Sequence, residues 1–121
     1  MVVNTSEREV EADLIFHALA DATRRDIVRL VLRSEQSVSG LARRYPMSFA
    51  AVHKHVAVLE RAGLVAKRRH GREQLVRGRI ETARRAYGVF EELEAVWRTR
   101  LDKFEEILSE GDDARERRSI Q

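Results

Sequence analysis

The side chains best equipped for chemistry in this 121-residue chain are cations. His53 and Lys54 are adjacent, Arg43-Arg44 lie ten residues earlier, and Lys67-Arg68-Arg69 and Arg72 follow. Ammonium and guanidinium groups donate to phosphate oxygens, and Lys, Arg and His can also donate to the N7 and O6 acceptors of guanine. The charge is unevenly placed along the chain. Residues 1–36 carry net −2, residues 37–79 carry ten basic and two acidic side chains (net +8), and residues 80–121 carry net −3. A basic middle between mildly acidic ends is the pattern of a polyanion-binding surface on a near-neutral scaffold. Charge alone is equally compatible with a solvated basic face.

Other chemistries find little support. There is no cysteine, so disulfides, thiolate metal sites and thiol switches are excluded. The four histidines, His17, His53, His55 and His70, show no chelating spacing. On a helix His53 and His55 point about 200° apart and cannot easily share an ion. No Ser/His/Asp arrangement, glycine-rich phosphate loop or paired carboxylate in an apolar setting occurs. The expectation is a protein without catalytic residues, metal or cofactor. Met1 to Glu11 is polar and no run is long and apolar enough for a membrane, so a cytoplasmic protein is expected.

Hydrophobic spacing supplies the elements that must position the cations. Val10, Leu14, Ile15, Ala18 and Leu19 predict a helix from about Arg8 to Ala20. Asp21 caps a second, with Ile27, Leu30 and Val31 inward. Ser34 to Ser37 reads as a turn. A short third helix is expected from about Val38 to Tyr45, stopped by Pro46. Ser48 is a good N-cap for a fourth, whose inward residues are Val52, Val56 and Leu59 and whose end is marked by Gly63. Leu64–Arg69 and Glu73–Arg77 around His70-Gly71-Arg72 predict a β-hairpin. A last helix from about Glu81 to Leu108 carries Ala83, Phe90, Trp97 and Phe104 at seven-residue intervals, widened by Leu93, Val96 and Leu101. The charged stretch 109–121 is expected to be a disordered tail outside the domain of residues 1–108. A short helix, a turn, a capped helix and a basic hairpin make a winged helix-turn-helix, here mainly α with five helices and a two-stranded wing.

Three segments resemble the ArsR/SmtB family of winged-helix repressors. Leu19 to Val28, reading LADATRRDIV, is similar to the family's opening motif, with Ala22 where proline is usual. Ser48 to Val65, SFAAVHKHVAVLERAGLV, resembles its recognition helix and the turn into the wing. Lys67 to Arg72, KRRHGR, resembles its basic wing, and together the resemblance covers roughly residues 12–80. It implies base contacts from Phe49, Ala50, His53 and Lys54 near the helix start at Ser48, although the family often has serine and histidine at positions 53 and 54. It implies a packed, structural role for His55.

The wing residues Lys67, Arg69 and Arg72 are expected at the duplex, with Arg72 at the tip, and Arg43 and Arg44 are expected on backbone phosphates. The family pairs its first and last helices across a dimer interface, which places Leu14, Phe90, Leu93, Trp97, Leu101 and Phe104 there or in the adjoining core. Family members that sense metals use cysteines near the third helix or histidine and carboxylates on the last. This chain has no cysteine, and its last helix has no histidine, so the resemblance is to a branch without that site. The expectation is a homodimeric repressor of double-stranded DNA, bound to a near-palindromic operator. The rival reading keeps the fold and docks a protein partner without specific DNA binding. The basic centre at residues 37–79 argues against it, since protein interfaces are usually poorer in lysine.

Overall fold

Five helices and three short strands are seen in the computed structural model, which describes the backbone of residues 2–120 and the side chains of residues 7–119. The order is α1 (Val2–Leu19), α2 (Ala22–Arg33), β1 (Gln36–Ser37), α3 (Val38–Ala42), α4 (Phe49–Arg61), β2 (Val65–His70), β3 (Glu73–Gly78) and α5 (Ile80–Ile120). The chain forms two compact units, one ending at Ala86 and the other beginning at Tyr87.

The first unit is built around a core of Ile15, Ala18, Ile27, Val31, Leu41, Val52, Val56, Leu59 and Val76, all at most 3% exposed. Each Val, Leu or Ile so buried contributes roughly 1.5–3 kcal/mol before chain entropy is subtracted. The helix starts are set by side-chain caps. Asp21 accepts from the Arg24 N–H at 3.0 Å, Ser37 from the Gly40 N–H at 3.0 Å and Ser48 from the Ala51 N–H at 3.1 Å. Helix α4 ends as the sequence predicts. The Gly63 N–H donates to the Glu60 carbonyl and the Leu64 N–H to the Leu59 carbonyl, a Schellman closure with Gly63 at φ 77°.

The sheet departs from the expected two strands. Its order is β1-β3-β2, all antiparallel, with Gln36 opposite Val76 and Ser37 opposite Leu75. Gln36 and Ser37 were expected in a turn; they instead supply two residues of strand that pair with the far side of the hairpin. The hairpin itself runs from Val65 opposite Gly78 to His70 opposite Glu73. Gly71 at φ 64° takes the first central position of its two-residue turn, where a side chain would strain the backbone. At Gly78 an added Cβ would lie 2.5 Å from Leu32 Cδ2, so glycine is what allows β3 to approach α2.

Helix α3 is shorter than expected. It ends at Ala42, and Arg43 is its C-cap, so Arg43 and Arg44 belong to the turn. The Tyr45 hydroxyl donates to the Asp26 carboxylate at 2.6 Å, which draws the turn toward α2. Helix α1 begins at Val2, before the expected Arg8. Of its apolar residues Ile15 and Ala18 are buried, while Val10 and Leu14 are exposed.

The second unit is the helical stretch from Tyr87 onward. Helix α5 continues through residues 109–120, for which charge alone predicts disorder. The spacing of Asp112 to Arg115 and Asp113 to Arg117 suits a helix, since residues three and four apart share a face. Among the described residues no helix is long and apolar enough to cross a membrane.

Candidate nucleic-acid interface

Helix α4 buries Val52, Val56 and Leu59 completely and thereby turns Phe49, Ala50, His53 and Lys54 to solvent. These four occupy the first two turns of the helix. The Phe49 and His53 rings lie one turn apart, with centroids 6.2 Å apart and planes tilted by 34°. The Phe49 side chain is 54% exposed, so it does not pack into its own core. Ser48 is exposed, but its hydroxyl oxygen is occupied as the cap of α4. The result is an outward ridge of two nitrogen-bearing side chains beside an aromatic face.

The underside of α4 is held by a polar cluster that the sequence does not display. The Arg24 guanidinium donates from Nε to the Ala18 carbonyl at 2.6 Å and from Nη2 to the His17 carbonyl at 3.0 Å. Its Nη1 lies 3.3 Å from His55 Nδ1. A guanidinium can only donate, so Nδ1 accepts and the ring proton sits on Nε2. Arg25 adds a bond to the Leu19 carbonyl at 2.8 Å. These arginines satisfy carbonyls that the end of α1 leaves without helical partners. One side chain, Arg24, thus joins the end of α1 to the middle of α4, and His55 is the structural residue expected. Its other neighbour is the Asp21 carboxylate, 4.0 Å away. The Arg24 backbone N–H holds the Asp21 carboxyl below its usual range, with the Arg24 charge acting in the same direction. At Tyr45, burial and then the Asp26 hydrogen bond push the phenol well above its usual value.

The wing divides its cations into two sets. Lys67 reaches the Glu60 carboxylate on α4 at 3.4 Å, with its side chain only 17% exposed. Arg68, on the opposite strand face, forms a two-point ion pair with Glu35, Nε to Oε2 at 3.0 Å and Nη2 to Oε1 at 2.8 Å. Arg69 and Arg72 lie further toward the tip and are exposed, as are Arg43 and Arg44 in the turn. Of the wing residues expected at the duplex, Arg69 and Arg72 are therefore presented outward, whereas Lys67 is engaged within the unit. Beyond the wing, buried Thr82 accepts from Arg85, whose guanidinium also pairs with Glu11 of α1.

On α5, Phe90, Leu93, Trp97, Leu101 and Phe104 are all more than half exposed. Leu14 on α1 is 38% exposed. Among the described residues no group of three His, Cys, Asp or Glu side chains is arranged to hold a metal ion.

Residues 21–67, from the cap of α2 to the start of the wing, match the arsR family of bacterial regulatory proteins. An HTH-type transcriptional regulator of Mycobacterium tuberculosis is 37% identical over 110 residues, 84% of this chain and 92% of its own. The chain belongs to the arsR family. It is a DNA-binding transcriptional regulator of winged helix-turn-helix fold. An ArsR-like transcriptional regulator from Rhodococcus sp. RHA1 superposes on the regulator with a TM-score of 0.69 at 34% identity, covering 82% of this chain and 93% of its own. The winged helix-turn-helix DNA-binding domain of a possible ArsR-family regulator from Mycobacterium bovis, described as homodimeric, gives a TM-score of 0.58 at 24% identity over 78% and 82% of the two chains. That last likeness shows the fold alone.

Proposed function

We propose that the regulator is a cytoplasmic homodimeric repressor in which α4 reads base edges and the wing grips the backbone. The observation that carries this reading is the division of the basic residues. His53 and Lys54 stand outward on a helix whose opposite face is completely buried, and Arg69 and Arg72 stand outward on the wing. Lys54 and His53 would donate to guanine acceptors in the major groove, and Phe49 would press on a thymine methyl. Arg72 at the wing tip would contact backbone or minor groove, with Arg43 and Arg44 on phosphates. Ser48 and Ala50 would lie at the groove as the helix enters it, and Ser48 would stay the cap.

The partner for the exposed residues of α5 is a second copy of the chain. Leu93 to Phe104 spans about 16 Å at 1.5 Å per residue, a long apolar stripe for one small chain to leave in water. Leu14 of α1 and Phe90 would join the same contact. Two recognition helices related by a two-fold axis would then enter successive major grooves about 34 Å apart and require a near-palindromic site. Bound there, the dimer would block polymerase.

The test is selection of duplexes from a random pool, followed by footprinting. The expected product is one sequence with two inverted half-sites about one helical turn apart. Recovery of no preferred sequence at low and moderate salt would favour the protein-docking reading.

A further inference from the structure

The Glu35–Arg68 pair is placed oddly for a surface ion pair. Glu35 immediately precedes β1, and Arg68 lies on β2, on the far side of the central strand β3. Arg68 pairs with Leu75 across the ladder, and Leu75 pairs in turn with Ser37. The two side chains therefore meet across the outer face of the sheet and span all three strands. The contact is two-pointed, at 2.8 and 3.0 Å, and a planar fork on a carboxylate fixes direction as well as distance. Glu35 is the only acidic residue between Asp26 and Glu60, a stretch that includes four arginines and one lysine. The Arg77 and His70 charges also favour its ionised form. On the other sheet face Lys67 pairs with Glu60 of α4. Adjacent wing residues are thus tied in opposite directions, one to the recognition helix and one to the segment before α3.

We infer that Glu35 and Arg68 are positioning residues that set the angle of the wing, so that Arg69 and Arg72 reach the duplex while α4 lies in the groove. The inference rests on the DNA-reading geometry proposed above. Because both groups are solvent-exposed, the pair adds little to stability. Its effect lies in orientation, and this gives it a distinctive sign. A carboxylate near a DNA-binding face repels phosphate, so removing it ordinarily tightens binding. If Glu35 positions the wing, removing it weakens binding.

The experiment measures E35Q, R68Q and the double variant, as full chains, on the duplex selected by the unmodified protein, with thermal melts alongside. The expected result is an affinity loss of at least about threefold for each single variant and no greater loss for the double, the non-additivity of residues acting as one unit. Melting temperature should hardly move. Hydroxyl-radical footprints should lose protection at the outer flanks of the site and keep it at the half-site centres. The charge-reversed pair E35R/R68E should recover most of the affinity, and it decides the matter if E35Q folds poorly. A duplex that is selected normally, but bound as tightly or more tightly by E35Q, overturns the positioning role and leaves the DNA-reading account standing. Arg68 would then be an ordinary phosphate contact. If the unmodified chain selects no duplex, both fall together.

Discussion

Val52, Val56 and Leu59 on α4 are fully buried, whereas Leu93, Trp97, Leu101 and Phe104, at similar helical spacing on α5, are each more than half exposed. The same periodic signal has two outcomes. In the first unit five helical segments and a small sheet converge, and every buried side-chain polar atom among the described residues has a hydrogen-bond partner. That unit completes its own core and turns its unused surface, the cations of α4 and the wing, toward solvent. The stretch from Tyr87 onward does the reverse and leaves its apolar surface outward. An amphipathic stripe reports that a helix needs a partner, but not whether the partner belongs to the same chain.

The largest way to break this contrast is at Trp97. Trp97→Glu puts a charge in the middle of the exposed stripe, where a second copy would have to bury it unpaired. Sedimentation should show association at micromolar concentration for the unmodified chain and a monomer for the variant, with the melting signature of the first unit retained. A stable folded monomer of the unmodified chain would remove the proposed dimer.

A smaller effect sharpens the other side of the comparison. Asp21 caps α2 and lies beside the Arg24–His55 contact, so Asp21→Ala should cost about 1 kcal/mol, the usual value of an N-cap. Its pH dependence has a definite sign. The folded state holds the Asp21 carboxyl below its ordinary value through the Arg24 N–H. The stabilisation is therefore fully present above the ordinary aspartate range, near pH ~3.9, and is lost as pH falls through the lowered folded value. Denaturant melts of unmodified and variant chains should differ at pH 6 and converge in acid. A constant difference down to pH 2 would mean the carboxylate is not the active group.

What the sequence shows and what it conceals separate along the same physical line. The start, inward face and end of α4 are readable at Ser48, Val52, Val56, Leu59 and Gly63 because caps and periodicity act over a few residues. The turn at Gly71 is readable for the same reason. Strand β1 is not readable, since two residues give no alternation and its partners, Leu75 and Val76, are about forty positions away. Lys67 and Arg68 look like further wing cations until their acidic partners, Glu60 and Glu35, are brought to them by the fold. The roles of Arg24 and Tyr45 are likewise hidden, because each bonds to groups supplied by other elements. Charge density alone hides the helical continuation of α5 past Ser109, which the spacing of opposite charges supports.

The proposal that α4 reads sequence while the wing reads backbone is decided by one competition experiment. Lys54→Ala, His53→Ala and Arg72→Ala, each first shown to be folded and dimeric, are titrated against selected and scrambled duplexes at several salt concentrations. Lys54→Ala and His53→Ala should each erase roughly 1–3 kcal/mol of preference for the selected duplex, with little change in non-specific affinity. Arg72→Ala should weaken both duplexes by similar factors and lower the slope of log K against log salt by about 0.9. If neither Lys54 nor His53 affects discrimination in folded dimers, α4 is not the base-reading element and the account is contradicted.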